Sequence, residues 1–317
     1  MVNNEELMFS VEMTTYNQEK YVGLALQSII DQKHNYKYEI LVSDDCSTDG
    51  TQNVIREFQK QYPDIIKPVY NEKNLGAMKN YYKNIVRTKG KYIMGCAGDD
   101  YWLPEKVQEQ INFMENNKSF DVCYSKANYL INGNLTKDTL GNYFREKKEV
   151  FEINNIPALT LCIRADFYKK YLKEIEPQNK DWLMEDYPFN IYALYNSNVF
   201  FINKELAVYR ILDGSTSHQI NLRKQFLFEQ NTYYIKKYFS EKFNETIRDF
   251  DEIKVLKKIV HELSSKQIDK RQLKKENNLI CKEFKIRKMS LRKIVKIIKK
   301  IIKYVLPYGL CVLLKKI

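Results

Sequence analysis

Tyr38-Glu39-Ile40-Leu41-Val42-Ser43-Asp44-Asp45-Cys46-Ser47-Thr48-Asp49-Gly50-Thr51 decides how this chain folds. An apolar run at Tyr38–Ser43 enters two adjacent carboxylates. Asp49–Gln61 then carries Val54, Ile55 and Phe58 on one helical face. The stretch reads as strand, acidic turn and helix. Outward from it the alternation repeats. Met8–Thr14 predicts a strand and Gln18–Gln32 a helix, with Leu24, Ala25, Ser28 and Ile29 at helical spacing. Ile65–Tyr70 predicts a strand, Met78–Thr88 a helix and Tyr92–Ala97 another strand. Strands separated by helical patterns imply right-handed crossovers and a mostly parallel sheet. Such sheets bind ligands at the carboxyl ends of their strands. Here those ends carry Thr14–Asn17, Asp44–Asp45 and Gly98–Asp100.

Past this region the pattern turns mixed. Glu105–Asn116 predicts a helix, and Asp121–Ile131 an extended run ending in a turn at Asn132-Gly133-Asn134. Ala158–Ile163 predicts a strand, Asp166–Lys173 and Asp186–Tyr195 helices. Val199–Ile202 and Leu206–Tyr209 predict two short strands. From about 220 the chain is polar and helical, without Gly or Pro until Pro307.

Composition bounds the class. The 317 residues are 44% hydrophobic and 29% charged, which excludes a disordered, collagenous or multi-span membrane protein. The net charge of +12 is unevenly placed. Residues 1–281 hold 40 basic and 39 acidic side chains, whereas 282–317 hold 12 basic ones against Glu283 alone. Cys46, Cys96, Cys123, Cys162, Cys281 and Cys311 form no Cys-x-x-Cys pair, so buried free thiols in a reducing cytosol are expected. Met1–Leu7 is polar and acidic and has no apolar signal-peptide core, so export is not expected.

Three acidic motifs carry the chemistry. At Asp44–Asp45, Asp45, Ser47 and Asp49 can cap the helix and satisfy turn amides, which explains Ser47 and Asp49 better than two adjacent carboxylates at a strand's end; one of that pair can accept from a nucleobase or ribose. At Gly98-Asp99-Asp100-Tyr101-Trp102, two like charges after an apolar strand repel, and a divalent cation removes the conflict. The bland alternative is a solvated turn before Pro104. At Trp182-Leu183-Met184-Glu185-Asp186-Tyr187-Pro188-Phe189, Asp186 is either a helix cap with Pro near the start or a general base.

Together these residues resemble glycosyltransferase family 2, the inverting, nucleotide-sugar-dependent transferases of GT-A fold. The resemblance rests on Thr14-Thr15-Tyr16-Asn17, Asp44–Thr51, Asn74-Leu75-Gly76, Gly98–Trp102, Glu185-Asp186 and Tyr209-Arg210, in family order over roughly 8–217. It implies a GT-A (Rossmann-like), mostly parallel sheet flanked by helices, with a C-terminal helical extension. It implies a nucleotide-diphospho-sugar donor, often UDP-linked, and Mn2+ or Mg2+. Thr15, Tyr16, Asn17, Asp44, Asp45, Asn74, Asp99 and Arg210 are then candidates for the donor. Asp100, with Asp99, would hold the metal, and Asp186 would be the catalytic base. The expected divisions are a donor half at 1–115, an acceptor half at 116–220, a helical extension at 221–281 and a tail at 282–317. Two departures stand out. Ala97 occupies a place that is often acidic in the family. Leu212 stands where many members have His, with His218 six residues further on.

The tail projects as an amphipathic helix. Leu291, Ile294, Val295, Ile298, Ile301, Ile302 and Val305 share one face, with Arg292, Lys293, Lys296, Lys299, Lys300 and Lys303 opposite. That pattern suits an anionic membrane surface. Packing on the protein's own body and homo-oligomerisation compete with it. No basic-aromatic stacking pattern for nucleic acid occurs there. The sequence thus predicts a cytoplasmic, membrane-peripheral enzyme acting on a saccharide or lipid-linked acceptor. A nucleotidyltransferase would show a Gly-rich phosphate loop, which Thr14–Lys20 lacks. A non-catalytic protein of the same fold is the other alternative, with Ala97 and Leu212 as its support.

Overall fold

The computed structural model describes residues 6–212, 221–265 and 270–283. They divide between two compact units, one built on residues 1–218 and 231–248, the other on 219–230 and 249–317. The first unit begins β1 (Leu7–Thr15), α1 (Val22–Ile30), β2 (Lys37–Asp44), α2 (Thr51–Gln61), β3 (Val69–Tyr70), α3 (Ala77–Ile85) and β4 (Tyr92–Gly95). The apolar alternation of β1 and β2 buries Phe9, Val11, Met13, Ile40 and Val42 against Val22, Leu26 and Ile29 of α1 and Ile55 of α2. Each such side chain contributes about 1.5–3 kcal/mol on burial, which outweighs the modest helix propensity of these short segments.

The chain continues with β5 (Tyr101–Trp102), α4 (Lys106–Asn116), β6 (Val122–Ile131), β7 (Asn134–Leu140), β8 (Cys162–Arg164), α5 (Ala165–Ile175), α6 (Asp186–Asn196) and β9 (Val199–Ile211). One nine-stranded sheet runs β3-β2-β1-β4-β8-β6-β9-β5, with β7 hairpinned onto β6. β1 to β4 pair in parallel, and β6 pairs in parallel with β9. Strands β5, β7 and β8 run against them.

Of the expected Ile65–Tyr70 strand only Val69–Tyr70, past Pro68, is a strand, with an isolated bridge at Ile66. Three further expectations differ, each for a local reason. Ala158–Thr160 is a 3-10 turn, because the Thr160 hydroxyl donates to the carbonyls of Pro157 (2.8 Å) and Ser125 (3.1 Å); the strand starts only at Cys162. Val199–Ile202 and Leu206–Tyr209 are one 13-residue strand. The polar Asn203–Glu205 segment between them is a bulge, where the pairing slips from Ser125↔Ile202 to Lys126↔Glu205 and Ala127↔Ala207. At the amino end of the sheet region, helix α1 starts at Val22, four residues late. Asn17 adopts φ 53°, and the amides of Asn17, Gln18 and Glu19 donate to Ser47 Oγ, Thr51 Oγ1 and Asp49 Oδ2. Of the cysteines, Cys96, Cys123 and Cys162 are buried free thiols, while Cys46 and Cys281 are half-buried.

The remaining helices are α7 (Leu222–Phe243), α8 (Glu252–Ser265) and α9 (Lys270–Glu283). In the second unit, Leu222 and Phe226 pack with Leu256, Ile259, Leu263, Leu273 and Ile280. Among the described residues, no helix is long and apolar enough to cross a membrane. His218, Cys311 and the basic tail from 284 onward lie outside the described residues.

Candidate active site

The first acidic pair is fully engaged by its own loops. Asp44 is buried at the end of β2. Its Oδ1 accepts from Ser47 N (3.0 Å) and Gln52 Nε2 (2.6 Å), and its Oδ2 from the Ser47 hydroxyl. Asp45 Oδ1 accepts from Asn71 Nδ2 (3.1 Å) and Leu75 N (2.8 Å), and Oδ2 from Gly76 N (2.9 Å). Asp45 therefore pins the Asn74-Leu75-Gly76 turn that starts α3, where Gly76 needs its φ of +84°. Asn74 is exposed and bonds within that turn, its Oδ1 to Gly76 N (3.1 Å). Asn17 ties the β1–α1 loop to the β2–α2 loop, with its Oδ1 accepting from Thr48 N at 2.8 Å.

The second pair is differently placed. After β4 the chain turns through Gly98, whose amide donates to Thr14 O (3.1 Å) at the end of β1. A Cβ at Gly98 would lie 2.5 Å from Gln18 Oε1 and 2.9 Å from Thr15 Oγ1, so a larger residue would force Gln18 and Thr15 to shift. Asp100 Oδ1 accepts from Arg210 N (2.8 Å), and Arg210 Nε donates to the Asp99 carbonyl (2.8 Å). The pairing of β5 with β9 at Tyr101↔Val208 brings Arg210 there. The guanidinium also lies 4.6 Å from the Tyr21 ring. Burial raises the Asp100 carboxyl well above its usual range, and Asp99 pushes it the same way. Burial raises Asp99 too, with Arg210 opposing. Thr15 Oγ1 and Gln18 Oε1, both against Gly98, are buried without a partner. Tyr16 beside them is 46% exposed.

The third pair opens α6. Asp186 Oδ2 accepts from Asn154 Nδ2 at 3.1 Å. Both acids are partly solvent-exposed yet densely surrounded by protein. Burial raises both carboxyls, and the Asp186 charge raises Glu185 further. Glu185 faces Glu12 in the middle of β1, a buried carboxyl pushed up to about 8 by desolvation although Asn84 Nδ2 donates to it (2.9 Å). Glu12 also acts, with Asp100 and Asp99, on the buried Cys96 thiol.

The donor chemistry at Asp99–Asp100 fits a hard divalent cation. Two carboxylates too strongly desolvated to ionise freely, beside a partnerless Gln18 Oε1, offer oxygen ligands in need of positive charge. Among the described residues no cluster of three or more His, Cys, Asp or Glu adds to them.

Four contributors had no place among the sequence candidates: Glu12, Gln18, Asn154 and Asn190. Glu12 left a signal, because Ser10 and Glu12 put two polar side chains on one face of an otherwise apolar strand. Asn190 shares a helical face with Asp186 at i+4 spacing. Asn154 left none, since it lies in an irregular segment far away in sequence.

A parallel four-strand core, extended by an antiparallel-laced second half and bearing acidic pairs past its strand ends, is the GT-A fold. S. aureus TarS, solved in complex with UDP-GlcNAc, superposes with a TM-score of 0.57 at 19% identity, covering 80% of this chain and 72% of that one. The mannosyltransferase PcManGT from Pyrobaculum calidifontis, in complex with GDP-Man and Mn2+, superposes at 0.53 with 12% identity over 95% of this chain and 81% of that one. Within that class the chain belongs to glycosyl transferase family 2, whose profile matches residues 10–176. An uncharacterized glycosyltransferase from Methanocaldococcus jannaschii is 31% identical over 231 residues, 71% of this chain and 78% of the relative. Uncharacterized mycobacterial relatives match at 32% identity over 116 residues, and there the chain spans only 34% of their length.

Proposed function

We propose that this chain is an inverting glycosyltransferase moving a sugar from a nucleotide-diphospho-sugar to an acceptor hydroxyl, with Asp186 as general base. The observation that carries the reading is electrostatic. Two acidic pairs, Asp99–Asp100 and Glu185–Asp186, are held desolvated and raised, while Asp44–Asp45 is fully hydrogen-bonded. Raised carboxyls at a sheet's ligand-binding edge mark chemistry more than stability.

Asp100 and Asp99 would hold Mn2+ or Mg2+, and Arg210 fixes both residues. Such an ion, when bound, offsets charge on the leaving diphosphate. Thr15, Tyr16 and Gln18 flank the same turn and line the donor's approach. Asp44 reaches a nucleoside only if Gln52 gives way. Asp186 takes the proton of the acceptor hydroxyl as that oxygen attacks the anomeric carbon. One displacement through an oxocarbenium-like transition state inverts the centre. TarS and PcManGT, solved with UDP-GlcNAc and GDP-Man, support a nucleotide-sugar donor; UDP is the first choice. The charge placement supports a membrane-proximal saccharide or lipid-linked acceptor, reached by the basic tail on an anionic surface.

A panel of UDP-, GDP- and dTDP-sugars, each with and without Mn2+, tests this by thermal shift and nucleotide release. One donor should raise the melting temperature only with the metal. Asp186→Asn should keep that shift and lose release to an acceptor. No shift and no release across the panel would overturn the reading.

A further inference from the structure

Asp186 is joined to a chain of side-chain amides whose direction is set by the backbone. Asn190, buried one turn further along α6, donates its Nδ2 to the Ile156 carbonyl (3.3 Å) and to Asn154 Oδ1 (3.0 Å). Asn154 then presents its own Nδ2 to Asp186 Oδ2 (3.1 Å). A carbonyl can only accept, so the Ile156 carbonyl forces Asn190 to turn its NH2 toward it. That NH2 also meets Asn154, which must answer with its oxygen. The only group left for Asp186 is the Asn154 NH2, a donor. The relay is therefore polarised to meet a carboxylate oxygen that accepts. Asn190 Oδ1 is left buried without a partner, an arrangement that stability alone disfavours. Tyr187 OH to the Val150 carbonyl (2.8 Å) clamps α6 to the segment that carries Asn154.

We propose that Asn154, oriented by Asn190, is the positioning residue that holds Asp186 ionised and fixed in one rotamer. A carboxylate has about four lone-pair directions, so the Asn154 amide and the backbone amides of Asp186 and Tyr187 still leave room for an acceptor proton. The inference rests on the general-base reading above and adds what keeps the base in its basic form. Burial opposes ionisation here, and the backbone amides of Tyr187 and Asp186 work against that burial. Glu185 precedes Asp186, Tyr187 follows it, and Tyr82 faces it from α3; Glu152 and Lys236 act at Tyr187. The Asn154 amide is the side-chain donor that works against that burial.

The test is a carboxyl titration of the full chain labelled with 13C-aspartate, without substrate, the Asp186 signal being assigned by its loss in Asp186→Asn. In Asn154→Ala the Asp186 midpoint should move up by about one pH unit or more, the size of a hydrogen bond to an ionised group. Asn190→Leu, close in size and uncharged, removes the NH2 at the far end without adding a charge and should move it the same way. Asn154→Gln, which keeps an amide, should recover part of the shift. A midpoint in Asn154→Ala within a few tenths of a unit of the unaltered chain overturns the relay; should that variant fail to fold, Asn190→Leu decides by the same criterion. Transfer that survives in Asp186→Asn would instead remove the general-base reading, and the titration would still judge the relay on its own terms.

Discussion

Asp44–Asp45 and Asp99–Asp100 are the same dipeptide, each following a parallel strand of one sheet, yet they live in opposite circumstances. The first pair accepts from two loop amides, a serine amide and hydroxyl, and two side-chain amides. At the second pair, the carboxylates meet the Arg210 amide, Gln18 and the Asp99 amide, and burial raises both acids. The difference lies in the following residues. After Asp45 the chain comes back with the amides of Leu75 and Gly76 within reach, whereas after Asp100 it enters β5, where Trp102 N donates to Ser28 Oγ and Leu103 N to the Leu206 carbonyl. An acid surrounded by donors braces a fold; an acid deprived of them waits for a cation or a proton.

The comparison breaks first on activity. Asp186→Asn and Asp100→Asn should each lower transfer by about 10²–10⁴-fold, the range for a lost general base or comparable charge, with the protein still folded. Steady-state transfer beside circular dichroism reads both. Near-normal rates in either variant would end the idea that the under-donated acids do the chemistry.

The mirror-image prediction concerns stability. Asp45→Ala strands Leu75 N and takes one of two acceptors from Gly76 N and from Asn71 Nδ2, which keep Asn74 Oδ1 and Asn80 Oδ1. At about 1–3 kcal/mol for a buried group left unpaired, a net loss of about 2 kcal/mol is expected. Urea denaturation checks it. A variant as stable as the parent would erase the contrast between the pairs.

Glu12 sharpens the same contrast through pH. Its folded pKa of about 8 lies above the unfolded value near 4.5, so the folded state binds the extra proton. Wild-type stability from this residue is intact below about pH 4.5 and is lost progressively up to about pH 8. Glu12→Gln can still accept from Asn84 and carries no charge. It should match the parent near pH 4.5 and exceed it by on the order of 2–3 kcal/mol at pH 7. Equal melting temperatures across that range would show that Glu12 ionises without penalty.

How much of this was written in the sequence varies by element. The βαβ alternation through Tyr92 was legible, because buried parallel strands such as Ile40–Val42 are continuous apolar runs. The motifs Asp44–Asp45, Asp99–Asp100 and Glu185–Asp186 were legible as residues, but their state of satisfaction was not. It depends on Leu75, Asn71 and Arg210, which the fold brings from far along the chain. The same holds for Asn154, 32 residues before Asp186 in sequence. The unity of β9 was hidden by Asn203-Lys204-Glu205, which resembles a loop. In the fold Lys204 is held by Glu105 and by Glu109 (2.9 Å) of the α4 region, so three polar residues bulge without ending the strand.

The smallest effect is the most discriminating one for Asp44. Gln52 Nε2 donates to Asp44 Oδ1 (2.6 Å), and Gln52 Oε1 accepts from Arg56 (2.9 Å), whose guanidinium lies 4.6 Å from the Tyr70 ring beside Asp44. Gln52→Leu removes one contact while Ser47 keeps its two, so stability should fall by only about 1 kcal/mol. A nucleoside that needs Asp44 must displace Gln52, and in the variant it no longer competes. Affinity for UDP with Mn2+, measured by calorimetry, should then rise by about fivefold, the equivalent of about 1 kcal/mol. If affinity does not change while stability falls, Asp44 is a brace like Asp45, and the nucleoside is read by the Thr15–Gln18 side of the sheet edge instead.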